Sequence, residues 1–485
     1  MGIVASQSIK NTIITYVGFG IGAINTLFLY TYFLTDDYFG LVGFILSTAN
    51  LMMPILMFGV SNSIIKFYSS FKSKNQQNSF LTFMFFLPLV IIIPLGLIGN
   101  LAYETISIWL SKENSIIENY TWYIYVIAIA MAYFEVFFSW SKVHFKSVFG
   151  SFMKEVFHRV CIMSLLLAVY FKKLTVEQFI FALVLVYIAR TLIIKIYAFT
   201  LRFPKLNFSL SFNYISVLKY SFLIIIAGSV SMLLLDLDKF MLGKLIAIDN
   251  IAYYSVAIFI ATVIAVPARA MHQITHPLTA KFLNDNNTSD LAELYKKSSL
   301  NLFIVGGLVF TLIVTNINML YTILPNDYSQ GLFVVIIISI VKLLDNLLGN
   351  NNAILFNSNY YKIVLVFGVI IVVVAAFLNY LLIPEYKIEG AAFASFIALI
   401  FYDVLKLWYV NLKFKIQPFS IKTFYTFLLI LVLSFSFYFW EFPFHPILNI
   451  AMKSIIVCFS YGLIVYIFNF SEDITRIINN LIRRK

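Results

Sequence analysis

Along this chain the polar residues come in short clusters and the apolar residues in long, unbroken runs. The runs do not alternate residue by residue, as a half-buried strand would, and most are too long for a strand, so the pattern predicts helices. A helix needs roughly 20 apolar residues to cross a bilayer. Lipid leaves backbone groups no partner outside a helix or a closed barrel. The runs predict about fourteen spans, at 11–34, 40–64, 80–102, 120–140, 152–171, 178–198, 218–236, 251–275, 299–317, 331–349, 361–383, 390–409, 421–440 and 447–468. The expected fold class is all-α integral membrane.

Composition agrees. The chain is 61% hydrophobic and only 12% charged, with a mean hydropathy of +0.92. A water-soluble protein of this length could not hide so much apolar surface. The short loops alternate in charge. One set carries Lys66, Lys72 and Lys74, Lys142 and Lys146, Arg202 and Lys205, Lys281, Lys296 and Lys297, and Lys413, Lys415 and Lys422. The other set carries Asp36 and Asp37, Glu104, Glu113 and Glu118, Asp249, Asp327, Glu385 and Glu389, and Glu441. Basic loops stay in the cytoplasm, so both termini are expected there, with Lys172–Lys173 the main violation. The net charge of +12 then reflects loops facing anionic lipid and calls for no nucleic-acid partner. The two cysteines, Cys161 and Cys458, lie in apolar runs and suggest neither a disulfide framework nor a metal site.

No loop is long enough for a soluble domain; 199–217 and 276–298 are the longest, and the second is expected on the cytoplasmic surface. A repeat is visible in outline. Thr35-Asp36-Asp37-Tyr38-Phe39-Gly40 opens span 2, and Ile248-Asp249-Asn250-Ile251-Ala252-Tyr253 opens span 8. Spans 1–6 and 7–12 then form two like-oriented six-helix halves, with a symmetry axis along the membrane normal and a substrate site at their interface. The expected organisation is 1–199 for the first half, 200–217 for a cytoplasmic linker, 218–412 for the second half, and 413–485 for two added helices and a cytoplasmic tail.

Three stretches carry a family resemblance. They are the opening Lys10-Asn11-Thr12 with Asp36-Asp37-Tyr38-Phe39-Gly40; Leu235-Asp236-Leu237-Asp238-Lys239-Phe240-Met241-Leu242-Gly243 followed by Ala252-Tyr253-Tyr254-Ser255; and Leu382-Ile383-Pro384-Glu385-Tyr386-Lys387-Ile388-Glu389-Gly390. Together, and in this order, they resemble the polysaccharide (O-antigen type) flippase family of the multidrug/oligosaccharidyl-lipid/polysaccharide exporter superfamily. The resemblance implies an alternating-access exporter of the bacterial cytoplasmic (inner) membrane. Its substrate would be an oligosaccharide on a polyprenyl diphosphate, and its partners membrane lipids and other polysaccharide assembly proteins. It implies no cofactor; an ion gradient or the membrane potential would drive transport. The chain also lacks a phosphate-binding Gly-x-x-x-x-Gly-Lys-Ser/Thr loop, and transport rather than catalysis is expected.

A diphosphate crossing hydrocarbon needs cations along its path. The candidates are Arg269 in span 8, with His272 one turn later; Lys66 with Asn62 at the end of span 2; Arg190 in span 6; Arg159 in span 5, with Glu155 as a local partner; and Lys342 in span 10. The plainer reading of each is a snorkelling or paired charge. Lys342 and Asp345 share a helix face and are expected to neutralise each other, as are Asp403 and Lys406. Glu135, Asp345 and Asp403 are candidates for ion coupling. Asp236-Leu237-Asp238 is read as a cap at the outer end of span 7. Pro277 is expected to end the helix that carries His272 and His276. The alternatives are a small-molecule antiporter of the same superfamily, which would want an anionic cavity, and a membrane polysaccharide polymerase, which would want a larger outer loop.

Overall fold

A computed structural model describes residues 3–71, 73–203, 205–209, 212–227 and 230–483. Among them there is helix and no strand, and eleven helices are long and apolar enough to cross a membrane. One of the eleven, Tyr361–Phe414, is two spans joined at Lys387, where φ is 48° and ψ is −128°. Spans 5 and 7 supply the remaining helices. Span 5 runs through Ser147–Phe152, a π-helical turn Met153–Phe157, and His158–Tyr170. Span 7 runs through Tyr214–Ala227 and Val230–Leu245. Each of the fourteen expected spans thus falls on a helix. The protein is an all-α integral membrane protein.

By contact the chain forms two compact units, Met1–Ser255 with Ala376–Lys387, and Val256–Ala375 with Ile388–Lys485. In the first unit span 4 (Thr121–Val143) packs on span 2 (Asp36–Met57) and on span 6 (Val176–Leu201). Its core holds Phe44, Phe134, Phe137 and Trp140, all fully buried. Lipid is as apolar as leucine, so helices in a bilayer associate through close packing and polar contacts rather than through the hydrophobic effect. Small residues let them do so here. A Cβ on Gly40 would run into the Ile248 carbonyl, and one on Gly150 into the Phe138 ring. In the second unit, span 9 (Thr288–Ile323) packs on spans 10, 13 and 14. Polar bonds join it to span 14 (Pro446–Ile467): Tyr461 Oη donates to the Ile304 carbonyl at 2.8 Å, and Lys453 Nζ to the Thr315 carbonyl at 2.9 Å. Outward-facing positions stay apolar, as at Leu97, Leu101, Ile196, Phe435 and Ile455. A soluble monomer avoids such surfaces, whereas the bilayer favours them.

Several sequence expectations change. The helix of span 8 does not end at Pro277. It runs Asp249–Thr262, through a 3-10 turn, then Val266–Asn284. A proline inside a membrane helix is tolerated because neighbouring groups can satisfy the freed carbonyl. The stretch 276–298 is therefore mostly helix, since span 9 already starts at Thr288. Span 7 also continues past Asp236 and Asp238 to Leu245. Asp238 is not an outer cap: it is fully buried and accepts hydrogen bonds from Tyr254 and from Asn379, the latter at 2.8 Å.

Candidate functional site

The first unit gathers charge between spans 4, 5 and 6. The Lys154 ammonium meets Glu135 at 2.6 Å. Arg159 meets Glu155 at 3.5 Å, one helical turn apart, as their spacing predicts. Arg190 is 7% exposed and has no carboxylate within ion-pair distance among the described residues. Its guanidinium lies 4.3 Å from the Phe134 ring and 4.7 Å from the Tyr187 ring. No hydrogen bond joins it to a described residue, and its Nε is buried. The His158 Nδ1 is likewise buried without a partner among the described residues. Lys142, at the end of span 4, sits 3.9 Å from the Phe138 ring. Glu135 lies within electrostatic reach of Lys154, Lys142 and Arg190 alike.

Local sequence explains the arrangement. Phe134 and Phe138 are one turn apart on span 4 and flank Glu135, so each aromatic face receives a cation. On span 5 the π-helical turn Met153–Phe157 contains Lys154 and Glu155. Such turns concentrate at functional sites. Lys66 and Asn62 do not join this cluster by any ion pair or hydrogen bond among the described residues. Lys66 is exposed, with its ammonium 3.8 Å from the Tyr220 ring. The helix that carries both residues, Val60–Phe67, begins after a left-handed pair, Phe58 and Gly59.

The second unit holds another polar cluster. Asp403 and Lys406 form the expected ion pair at 2.8 Å. Lys406 is 1% exposed, lies 4.3 Å from the Tyr402 ring, and also donates to Asn352 at 3.2 Å. Lys342 and Asp345 do not pair with each other, contrary to expectation. Asp345 is exposed and Lys342 is half-buried, and both act at longer range on Asp403. Sharing a helix face brings two side chains near each other but does not make them meet. Asp345 is within electrostatic reach of His272, whose ring lies 5.0 Å from that of His276. Arg269 is exposed and has neither an ion pair nor a hydrogen bond among the described residues. Among those residues, no group of three or more His, Cys, Asp or Glu side chains could hold a metal ion.

Sequence reasoning missed Lys154 as the partner of Glu135, because the two are on different spans. It also missed the asparagines after span 10. Gly349 turns the chain with φ +55°. Asn350 then donates to Thr279 at 2.6 Å, and Asn351 to Tyr295 at 2.6 Å. The run Gly349-Asn350-Asn351-Asn352 inside an apolar stretch was the available signal.

Among solved structures, one of the lipid II flippase MurJ in an inward closed conformation superposes with a TM-score of 0.76 at 15% identity. The match covers 96% of this chain and 100% of that one. The chain has the fold of a lipid flippase and of MOP-superfamily transporters. An inward-facing multidrug resistance MATE transporter of the MOP superfamily matches with a TM-score of 0.63 at 13% identity, over 84% of this chain and 98% of that one. A MOP-superfamily transporter from Pyrococcus furiosus, described as having a binding pocket of reversed polarity, matches with a TM-score of 0.61 at 13% identity, over 85% and 96%. No family model matches the sequence, and no curated protein does. At these identities the likeness establishes this transporter-type fold and leaves the cargo to the side chains.

Proposed function

We propose that the chain is an alternating-access flippase for polyprenyl-diphosphate-linked oligosaccharide, acting in surface polysaccharide assembly. The supporting observation is the presence in membrane helices of cations without carboxylate partners: Arg190, buried on aromatic rings, and Arg269, exposed and unpaired among the described residues. Charge in a membrane span is costly and is usually kept for function. Arg forks suit phosphate oxygens. In this reading Arg269, Lys66, Arg190, Arg159 and Lys342 serve the headgroup, with Asn62 and His272 as polar neighbours. Glu135, Asp345 and Asp403 are the candidates for coupling to an ion gradient. The protein works in a bacterial cytoplasmic membrane with both termini inside. The flippase likeness also covers more of this chain than the two other transporter likenesses described.

The repeat is part of the proposal. Spans 1–6 (1–199) and 7–12 (218–412) are the related halves, joined by 200–217 and followed by two added helices. Helices that open at Asp36 and at Asp249 support it.

A second reading, an ion-coupled small-molecule antiporter, draws on the likeness to a multidrug resistance transporter and on the exposed Asp345. Flip of a fluorescent diphosphate-linked oligosaccharide in proteoliposomes separates the two. Arg269→Ala is expected to slow flip about 10–100-fold, the range for one lost charged hydrogen bond, with membrane insertion unchanged. Undiminished flip in that variant would remove Arg269 from the site. Drug efflux with no lipid flip by the unaltered protein would favour the antiporter.

A further inference from the structure

The second unit has a cavity of about 310 Å³ whose lining carries no charged side chain. It lies beyond the ends of spans 8, 10 and 12. Asn284 and Asn286 line it from the first, Asn357, Asn359 and Tyr360 from the second, and Phe414 from the third. Neither Asp285, between the first two asparagines, nor Lys413, 5.3 Å from the Tyr360 ring, is part of the lining. Turn chemistry accounts for some of these amides. Asn286 takes a left-handed φ of 53°, which asparagine tolerates, and the Asn357 Nδ2 donates to the Ala353 carbonyl at 2.8 Å. The side chains of Asn284, Asn286 and Asn359 are left over. All three residues are exposed, and their amides bond no described residue.

That chemistry narrows the ligand. An apolar molecule would strip water from the amides without replacing their bonds, at about 1–3 kcal/mol for each group left unmet. An anion would use the N–H donors and leave the acceptors. A sugar hydroxyl both donates and accepts, so neighbouring hydroxyls match the N–H and C=O of one carboxamide. A sugar ring also has an apolar C–H face. The Tyr360 and Phe414 rings, 5.8 Å apart and edge to face, supply apolar surface for it. The volume is at the small end of ligand sites, about 300–1,000 Å³, and suits a single ring rather than a long chain. We propose that this cavity binds one uncharged sugar ring, with Asn284 and Asn359 bonding its hydroxyls and Tyr360 against its C–H face. None of the cations assigned to the diphosphate lines it. The sugar has two sources: the glycan of a lipid-linked substrate, or a free saccharide on the same side of the membrane.

The test is saturation-transfer difference NMR on the full-length protein in micelles. The probes are the methyl glycosides of glucose, galactose and mannose, N-acetylglucosamine, and adenosine as a flat ring of other chemistry. Transfer to at least one sugar is expected. Asn284→Ala and Asn359→Ala should each raise its dissociation constant about 2–10-fold, the worth of one neutral hydrogen bond. Tyr360→Ala should act by a similar factor, about 2–10-fold. Both asparagines are exposed and unbonded among the described residues, so their variants should keep the melting midpoint of the unaltered protein. Unchanged binding in all three variants, no transfer to any sugar, or transfer to adenosine alone overturns the assignment. The same variants in the proteoliposome flip assay separate the two sources. Weaker sugar binding with slower flip assigns the site to the substrate's glycan; weaker binding with normal flip assigns it to a free sugar. Absence of flip by the unaltered protein fails the flippase reading alone, and the sugar site then stands on the NMR result.

Discussion

Replacing Lys406 with methionine is expected to destabilise the protein by about 3–5 kcal/mol, the usual cost of breaking one side of a buried ion pair. The cause is Asp403, which would lose its 2.8 Å partner while staying buried. The double variant Asp403→Asn with Lys406→Met is expected to recover most of the loss, because replacing both charges removes the uncompensated one. Reversible unfolding in mixed micelles, compared across both single variants and the double, gives the coupling directly. Equal stability of Lys406→Met and the unaltered protein would show that the pair is solvated and that burial does not set its energetics. Asn352, which accepts from Lys406 at 3.2 Å, would lose the same donor in either case, so it does not confuse the comparison.

The second large effect is expected at Gly59, where span 2 breaks. Its φ of +65° is left-handed, a conformation that costs other residues about 1–2 kcal/mol. A Cβ there would also collide with the Ser221 backbone, and overpacking adds about 1–3 kcal/mol. Gly59→Ala should therefore lower the unfolding free energy by several kcal/mol. It should also disturb the 2.7 Å bond between the Ser63 and Ser221 hydroxyls. Gly20→Ala is the matched control, because nothing lies within 4 Å of a Cβ at that helical position, and a small gain from helix propensity is expected there. A melting midpoint for Gly59→Ala within a degree of the unaltered protein would mean that the break shifts freely.

The legibility of the site followed sequence separation. Glu155 and Arg159, and Asp403 and Lys406, are paired where a helical period puts them. That period misled for Lys342 and Asp345, because a shared face leaves each long side chain free to choose another direction. The partner of Glu135 could not be found by any local rule, since Lys154 belongs to the next span. Pro277 was misread because the rule that proline ends helices assumes water-exposed backbone with no neighbour to satisfy the freed carbonyl.

By itself the sequence determined that the chain is an all-α membrane protein and which stretches supply its spans, though not where each helix ends. Those properties follow from apolar run length and backbone hydrogen bonding in lipid, which act within one segment at a time. Tertiary structure alone decided the fate of the intramembrane charges that have no partner one helical turn away. Arg190 and Glu135 look alike as charges without a local partner in greasy runs. Glu135 finds Lys154 on the next span and Arg190 only aromatic faces, because ion pairing falls off within a few ångströms and only packing sets those distances.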